Sequence, residues 1–267
     1  LSGLAYSEGS WSPVFLDADL DGRMDLLVAN GNHHDVQDAD VIREISRVRE
    51  RESPQARLAR FPRLHTANLA FRNRGDLTFE EVGEAWGFNL EGVSQGMALA
   101  DFDGDGDLDV ALNNLNAATA LYRNNSIAPR VAVRLRGLPP NTRGIGARIE
   151  CHDGAVPLQV HEMTCGGRYA SADDTLRVFA TGAHGGPMRL QVTWRSGRLS
   201  IVDGVLPGHL YEIDEAGARP APPPRATRRR GSGCGSSPRA PADAHRPALR
   251  CRARHRPAAT RTHRRFR

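Results

Sequence analysis

One acidic nonapeptide occurs twice in this chain, as Asp17-Ala18-Asp19-Leu20-Asp21-Gly22-Arg23-Met24-Asp25 and as Asp101-Phe102-Asp103-Gly104-Asp105-Gly106-Asp107-Leu108-Asp109. Both copies fit DxDxDGxxD. At ordinary residue frequencies a single chance copy in a chain of this length has odds of roughly 2 in 10,000. Two copies mark a repeated unit with one chemical task.

The spacing points to that task. Carboxylates at positions 1, 3 and 5 converge on one point when the chain curls, and glycine at position 6 permits the sharp turn. Position 7, Arg23 or Asp107, is expected to offer its backbone carbonyl, which leaves its side chain free to vary. Asp25 and Asp109 close the cage at position 9. Carboxylates about 5 Å apart repel by roughly 3 kcal/mol per pair at an effective dielectric of about 20, so a cation must offset the crowding. Oxygen donors without His or Cys select Ca2+, with Mg2+ second. Two Ca2+ sites are expected, one from Asp17, Asp19, Asp21, Arg23 and Asp25, the other from Asp101, Asp103, Asp105, Asp107 and Asp109. The competing reading is an Asp- and Gly-rich β-turn that holds no metal.

An EF-hand is excluded, because position 12 is Val28 or Leu112 where that loop needs a bidentate Glu. Helices should flank it too, whereas residues 24–29 and 108–112 read as strands. After each loop comes an aromatic-Arg-Asn strand end, Leu69-Ala70-Phe71-Arg72-Asn73 and Ala120-Leu121-Tyr122-Arg123-Asn124. A β unit repeated around a fixed loop suggests propeller blades. The first unit is longer. Val41, Ile42, Ile45 and Val48 fall at helical spacing, which predicts an amphipathic helix in an insertion over about residues 36–60, capped by Asp38 or Asp40. His33 and His34 ahead of it are read as turn residues. Residues 1–127 are too few to close a ring, since four blades of about 45 residues need some 180. With Leu1 in place of Met, the expectation is a fragment that begins inside a longer protein.

Charge divides the chain. Residues 216–267 carry 15 Arg and one acid, Asp243, whereas residues 1–215 carry 21 Arg against 30 acids. An acidic body thus precedes a basic tail. That tail is rich in Pro and Ala, has too little apolar surface to offset ordering entropy, and is expected to be disordered. Without interleaved aromatics to stack bases, it makes nucleic-acid binding the weakest functional reading. No apolar run reaches the roughly 20 residues of a membrane-spanning helix.

Between body and tail, residues 131–135, 147–151, 158–163, 190–194 and 210–213 alternate as strands separated by Gly, Pro, Asn and Asp. They predict a compact β module. Cys151 and Cys165 are read as free thiols in preference to a disulfide. No catalytic constellation emerges: Ser171 lies outside a GxSxG elbow, and His152, His161 and His184 lack HExxH spacing.

Residues 10–126 resemble the FG-GAP (VCBS) repeat, the calcium-loop blade of integrin-α-type propellers. Phe15-Leu16-Asp17 and Leu99-Ala100-Asp101 lead into the loops, and Asn30-Gly31-Asn32 and Asn113-Asn114 follow the strands. The second half resembles an ASPIC/UnbV domain through Val133-Arg134-Leu135-Arg136-Gly137, Gly144-Ile145-Gly146-Ala147-Arg148-Ile149 and Val192-Thr193-Trp194-Arg195-Ser196-Gly197. This order of units is similar to the cartilage-acidic-protein-like family. The resemblance implies an all-β chain: a partial β-propeller over 1–127, a β-rich ASPIC/UnbV domain over 130–215 and a disordered Arg- and Pro-rich tail over 216–267. It also implies a calcium-binding, non-enzymatic interaction or adhesion module, extracellular, secreted or periplasmic, whose ligand is an unidentified protein or carbohydrate. The alternative is an accessory region of a carbohydrate- or phosphoester-processing enzyme.

Overall fold

The computed structural model describes residues 2–4, 7, 9–48, 51–183 and 186–220, and the backbone of 252–254. The apolar residues on either side of the first acidic loop form β1 (Ser12–Leu16) and β2 (Asp25–Ala29), antiparallel, with Leu16 opposite Asp25. The loop is therefore the turn of a hairpin. The insertion follows as α1 (Ala39–Val48) and α2 (Pro54–Leu58). Asp38 caps α1, its Oδ1 accepting the N–H groups of Asp40 (3.0 Å) and Val41 (3.1 Å). Asp40 pairs instead with Arg43 at 2.9 Å. No described side chain of α1 is buried, so the helix lies on the surface.

The chain returns through β3 (Thr66–Ala67), β4 (Leu69–Asn73), β5 (Phe79–Glu81), α3 (Gly83–Trp86) and β6 (Glu91–Gly92). It then builds β7 (Ser94–Ala100), β8 (Asp109–Asn114) and β9 (Ala120–Tyr122). Two blade-like antiparallel sheets result, ordered β1-β2-β4-β5 and β7-β8-β9. The second acidic loop is again a hairpin turn, with Ala100 opposite Asp109. Facing side chains lock the sheets together: Val14, Leu16, Leu27 and Ala29 of one share a core with Met97, Leu99, Val110 and Leu112 of the other. Burying such aliphatic chains is worth about 1.5–3 kcal/mol each.

The second half is a sandwich of β10 (Arg130–Arg136), β11 (Arg148–His152), β12 (Leu158–Glu162), β13 (Leu176–Ala180), β14 (Met188–Thr193), β15 (Arg198–Val205), β16 (Leu210–Asp214) and β17 (Arg219–Pro220). One sheet runs β13-β10-β16 and the other β12-β11-β14-β15-β17, around a core that includes Val133, Ile149, Phe179, Leu190 and Trp194. Alternation does not reveal β13, because both its faces are covered: Phe179 faces the sandwich core, while Leu176, Val178 and Ala180 pack towards the acidic loops. The boundary expected at 215 moves to 220, since Ala218 is 4% exposed within the sandwich core and Arg219 pairs with Leu199. The remaining tail lies outside the described residues, apart from β18 (Arg252–Arg254), whose backbone pairs antiparallel with β16.

The fold is all-β in several sheets, with no closed barrel and only short helices among the described residues. Among the described residues no helix is long and apolar enough to cross a membrane. Both acidic loops meet the second half, where Leu20 and Leu108 join a cluster with Ala132, Leu176, Val178 and Ala180.

Candidate metal sites

The first carboxylate of each loop turns the chain. Asp17 accepts the N–H of Asp21 on Oδ1 (3.0 Å) and that of Gly22 on Oδ2 (2.9 Å). Asp101 accepts those of Gly104 and Asp105 on Oδ1 (2.7 and 3.2 Å) and that of Gly106 on Oδ2 (3.1 Å). Position 6 is left-handed in both copies, at φ +93° for Gly22 and +95° for Gly106, where a side chain is strained. Position 4 is left-handed as well, as Gly104 (+79°) in one loop but Leu20 (+57°) in the other. That conformation costs Leu20 about 1–2 kcal/mol. Its burial in the cluster between the two halves offsets the cost.

The carboxylate at position 9 ties each loop to a strand further along. Asp25 accepts the Ala18 N–H on Oδ2 (2.9 Å) and the Asn73 N–H on Oδ1 (2.8 Å). Asp109 accepts the Phe102 N–H on Oδ2 (2.8 Å) and the Asn124 N–H on Oδ1 (2.8 Å). The carboxylates at position 3 pair with arginines of the same strand ends, Asp19 with Arg72 at 2.6 Å and Asp103 with Arg123 at 2.7 Å. The aromatic-Arg-Asn segment is thus the second half of each site. Its recurrence in the sequence was the only signal for this, and spacing hid the contact, because it closes 48 residues from Asp25 and 15 from Asp109.

Ligand-bearing oxygens of Asp17, Asp19 and Asp21 lie within 4.8 Å of one another, as do those of Asp101, Asp103 and Asp109. Asp25 stands outside the first group, with its oxygens on backbone amides. Asp105 and Asp107 stand outside the second and turn to Arg130, whose Nη2 lies 2.9 and 3.3 Å from them. Position 7 differs between copies. The Arg23 side chain is exposed and reaches back to Asp21 at 2.9 Å, whereas Asp107 is 1% exposed and links its loop to Arg130 at the start of β10.

Asp17, Asp25, Asp101 and Asp107 are held against their preference for ionisation. Burial raises Asp17 to about 7, with the charges of Asp21 and Asp25 adding to it. Burial likewise raises Asp25 to about 6 and Asp107 to about 8 despite Arg130, and lifts Asp101 above the usual carboxylate value. Both oxygens of Asp19 and of Asp107 are buried and accept no hydrogen bond, the arginines meeting them out of alignment. Crowded, desolvated and incompletely partnered carboxylates are what a divalent cation relieves, and the all-oxygen donor set fits Ca2+.

Elsewhere the polar residues singled out in the sequence serve the fold. The Ser171 hydroxyl donates to the Met97 carbonyl at 2.6 Å. His161 packs edge-on against Phe179 and is kept neutral, at about 4, by burial and by Arg177. Cys151 and Cys165 are free thiols, and burial pushes Cys151 up to about 11. His184 lies outside the described residues.

A family model of the FG-GAP-like repeat matches residues 63–112, and the model named ASPIC and UnbV matches residues 137–220. The chain carries an FG-GAP-like repeat joined to an ASPIC and UnbV domain. The FG-GAP match takes in the second acidic loop and the Phe71-Arg72-Asn73 strand end of the first unit. The first acidic loop precedes it and joins the repeat through the same amide and arginine contacts. The ASPIC and UnbV match ends at the last residue of β17, where the sandwich also ends. No curated protein matches the chain.

Proposed function

We propose that this FG-GAP and ASPIC/UnbV chain is a calcium-binding, non-enzymatic interaction module that works outside the cell or in the periplasm. The observation that carries the reading is the repetition of one site geometry in two loops: the carboxylate at position 1 on the loop amides, that at position 3 on an arginine, and that at position 9 on the backbone N–H of an asparagine. Ca2+ in each loop supplies the positive charge that the clustered carboxylates need and holds the hairpin turn closed. Asp17, Asp19 and Asp21 hold one ion, and Asp101, Asp103 and Asp109 the other. Asp25 fixes the first loop from behind, and Asp105 and Asp107 tie the second to β10 through Arg130. The contribution of the metal is structural, because it couples both blades to the sandwich at the surface where the loops meet it.

Beside the second loop a cleft of about 670 Å³ opens between the halves, lined in part by Asp105, Arg130, Arg134, His209 and Glu212. A cleft of this size falls in the range of small-ligand sites, and its mixed charge suits a carbohydrate unit. The accessory-enzyme reading has no comparable support among the described residues, where Ser171 is hydrogen-bonded to the Met97 carbonyl and His161 is packed against Phe179.

Calorimetric titration with CaCl2 tests the proposal. The expected result is two bound ions per chain with Kd of about 10⁻⁴ to 10⁻³ M, in the range of extracellular modules, and one ion in Asp103→Ala. No heat and no bound calcium at about ten times those concentrations contradicts it.

A further inference from the structure

The two strand ends that close the acidic loops are alike in sequence, yet their asparagines reach different places. Asn73 stays with its own loop: its N–H goes to Asp25 (2.8 Å) and its Nδ2 donates to the carbonyl of Met24 (3.0 Å). Asn124 divides its contacts between the two loops. Its N–H goes to Asp109 of the second loop (2.8 Å), while its Nδ2 donates to the carbonyl of Ala18, between Asp17 and Asp19 of the first (2.9 Å). Two residues on, the Ser126 hydroxyl donates to the Asp19 carbonyl at 3.4 Å. An apolar contact runs alongside, since Leu108 at position 8 of the second loop belongs to the cluster that buries Leu20, position 4 of the first.

We infer that Asn124 couples the two cation sites, so that filling either loop raises the affinity of the other. This rests on the calcium reading above. The physical basis is shared ordering. A cation in the second loop fixes Asp109, and Asp109 fixes the backbone of Asn124. The asparagine side chain and Ser126 then hold the backbone around Asp19 in its binding shape before the first loop takes its ion. Order imposed by one ion need not be imposed again by the next, and the coupling is reciprocal. One hydrogen bond of ordinary strength sets the expected size at about fivefold in affinity.

Calcium titrations of the whole chain, read by calorimetry and by bound-metal analysis, test the inference. Asp101→Asn disables the second loop by removing a charge while keeping an oxygen for the loop amides. In an otherwise unchanged chain it should weaken the first loop about fivefold. Asn124→Ala deletes the link to Ala18 but keeps the backbone N–H to Asp109, so it should give two independent sites. Adding Asp101→Asn to it should then leave the first loop unaffected. If Asp101→Asn alone leaves the first loop's affinity unchanged, the coupling is overturned, whatever Asn124→Ala does to stability. Absence of calcium binding in the unmodified chain overturns the calcium reading and the coupling with it.

Discussion

Asp25 accepts the backbone N–H of Asn73 at 2.8 Å across a gap of 48 residues. The same carboxylate accepts the N–H of Ala18, and the side chain is 1% exposed. One buried group therefore closes the first loop and anchors the third strand of its blade. Asp25→Ala leaves two amides without acceptors in a dry environment. The expected loss is about 3 kcal/mol, from two hydrogen bonds to a charged acceptor, and urea unfolding in saturating calcium measures it. A loss below about 1 kcal/mol would show that the contact does not hold the blade.

Without divalent cations, stability should fall as pH rises. In the folded chain Asp17 ionises at about 7 and Asp107 at about 8, against 3.8 for the unfolded carboxyl. The folded state binds more protons between those values, so these groups favour folding below the unfolded pKa, and that contribution is lost as pH rises through 7 and 8. His161 has the opposite sign: held at about 4 against 6.5, it favours folding above 6.5 and loses that effect as pH falls through 4. Between pH 6.5 and 8.5 the carboxylates dominate. Urea midpoints in EDTA should therefore decline across this window, and saturating calcium should flatten the curve. A midpoint in EDTA that holds steady or rises would contradict the assignment.

The sequence carried the strands beside the loops and the grouping of Asp17, Asp19 and Asp21, because alternation and short-range carboxylate spacing are local properties. It marked Arg72 and Arg123 only as parts of a recurring strand end and was silent on Arg130, and all three reach the carboxylates only after strands pair. The buried side chain of Asp107 was not legible either, since nothing local distinguishes a solvent-facing loop acid from one buried against an arginine 23 places on. β13 was missed for a related reason: a strand covered on both faces shows no alternation, and Arg177 within it is buried with its guanidinium on the carbonyls of Glu162, Asp174 and Leu176. Residues 216–220 look like tail by composition, yet Ala218 fills a place in the sandwich core.

Leu20 tests whether the two halves form one cooperative unit. It occupies a left-handed backbone position in the first loop and is 5% exposed against β10 and β13. Leu20→Ala keeps the backbone strain and removes the packing, so it should cost about 2–4 kcal/mol. Leu20→Gly removes the packing but relieves the strain, and should cost about 1 kcal/mol less than the alanine variant. Differential scanning calorimetry should show one transition for the unmodified chain and a lower, broader or divided one for Leu20→Ala. Equal melting of all three proteins would contradict a role for this residue at the junction.

The most direct test of paired cation sites as structural clamps is the melting temperature with and without calcium. At a hundredfold excess over Kd, each site filled only in the folded state adds about 2.7 kcal/mol, which in an ordered body of this size is a rise of roughly 5–10 °C. With two sites filled, a rise of roughly 10–20 °C is expected in the unmodified chain, reversed by EDTA and about halved in Asp103→Ala. Identical melting temperatures in calcium at that excess and in EDTA would contradict it.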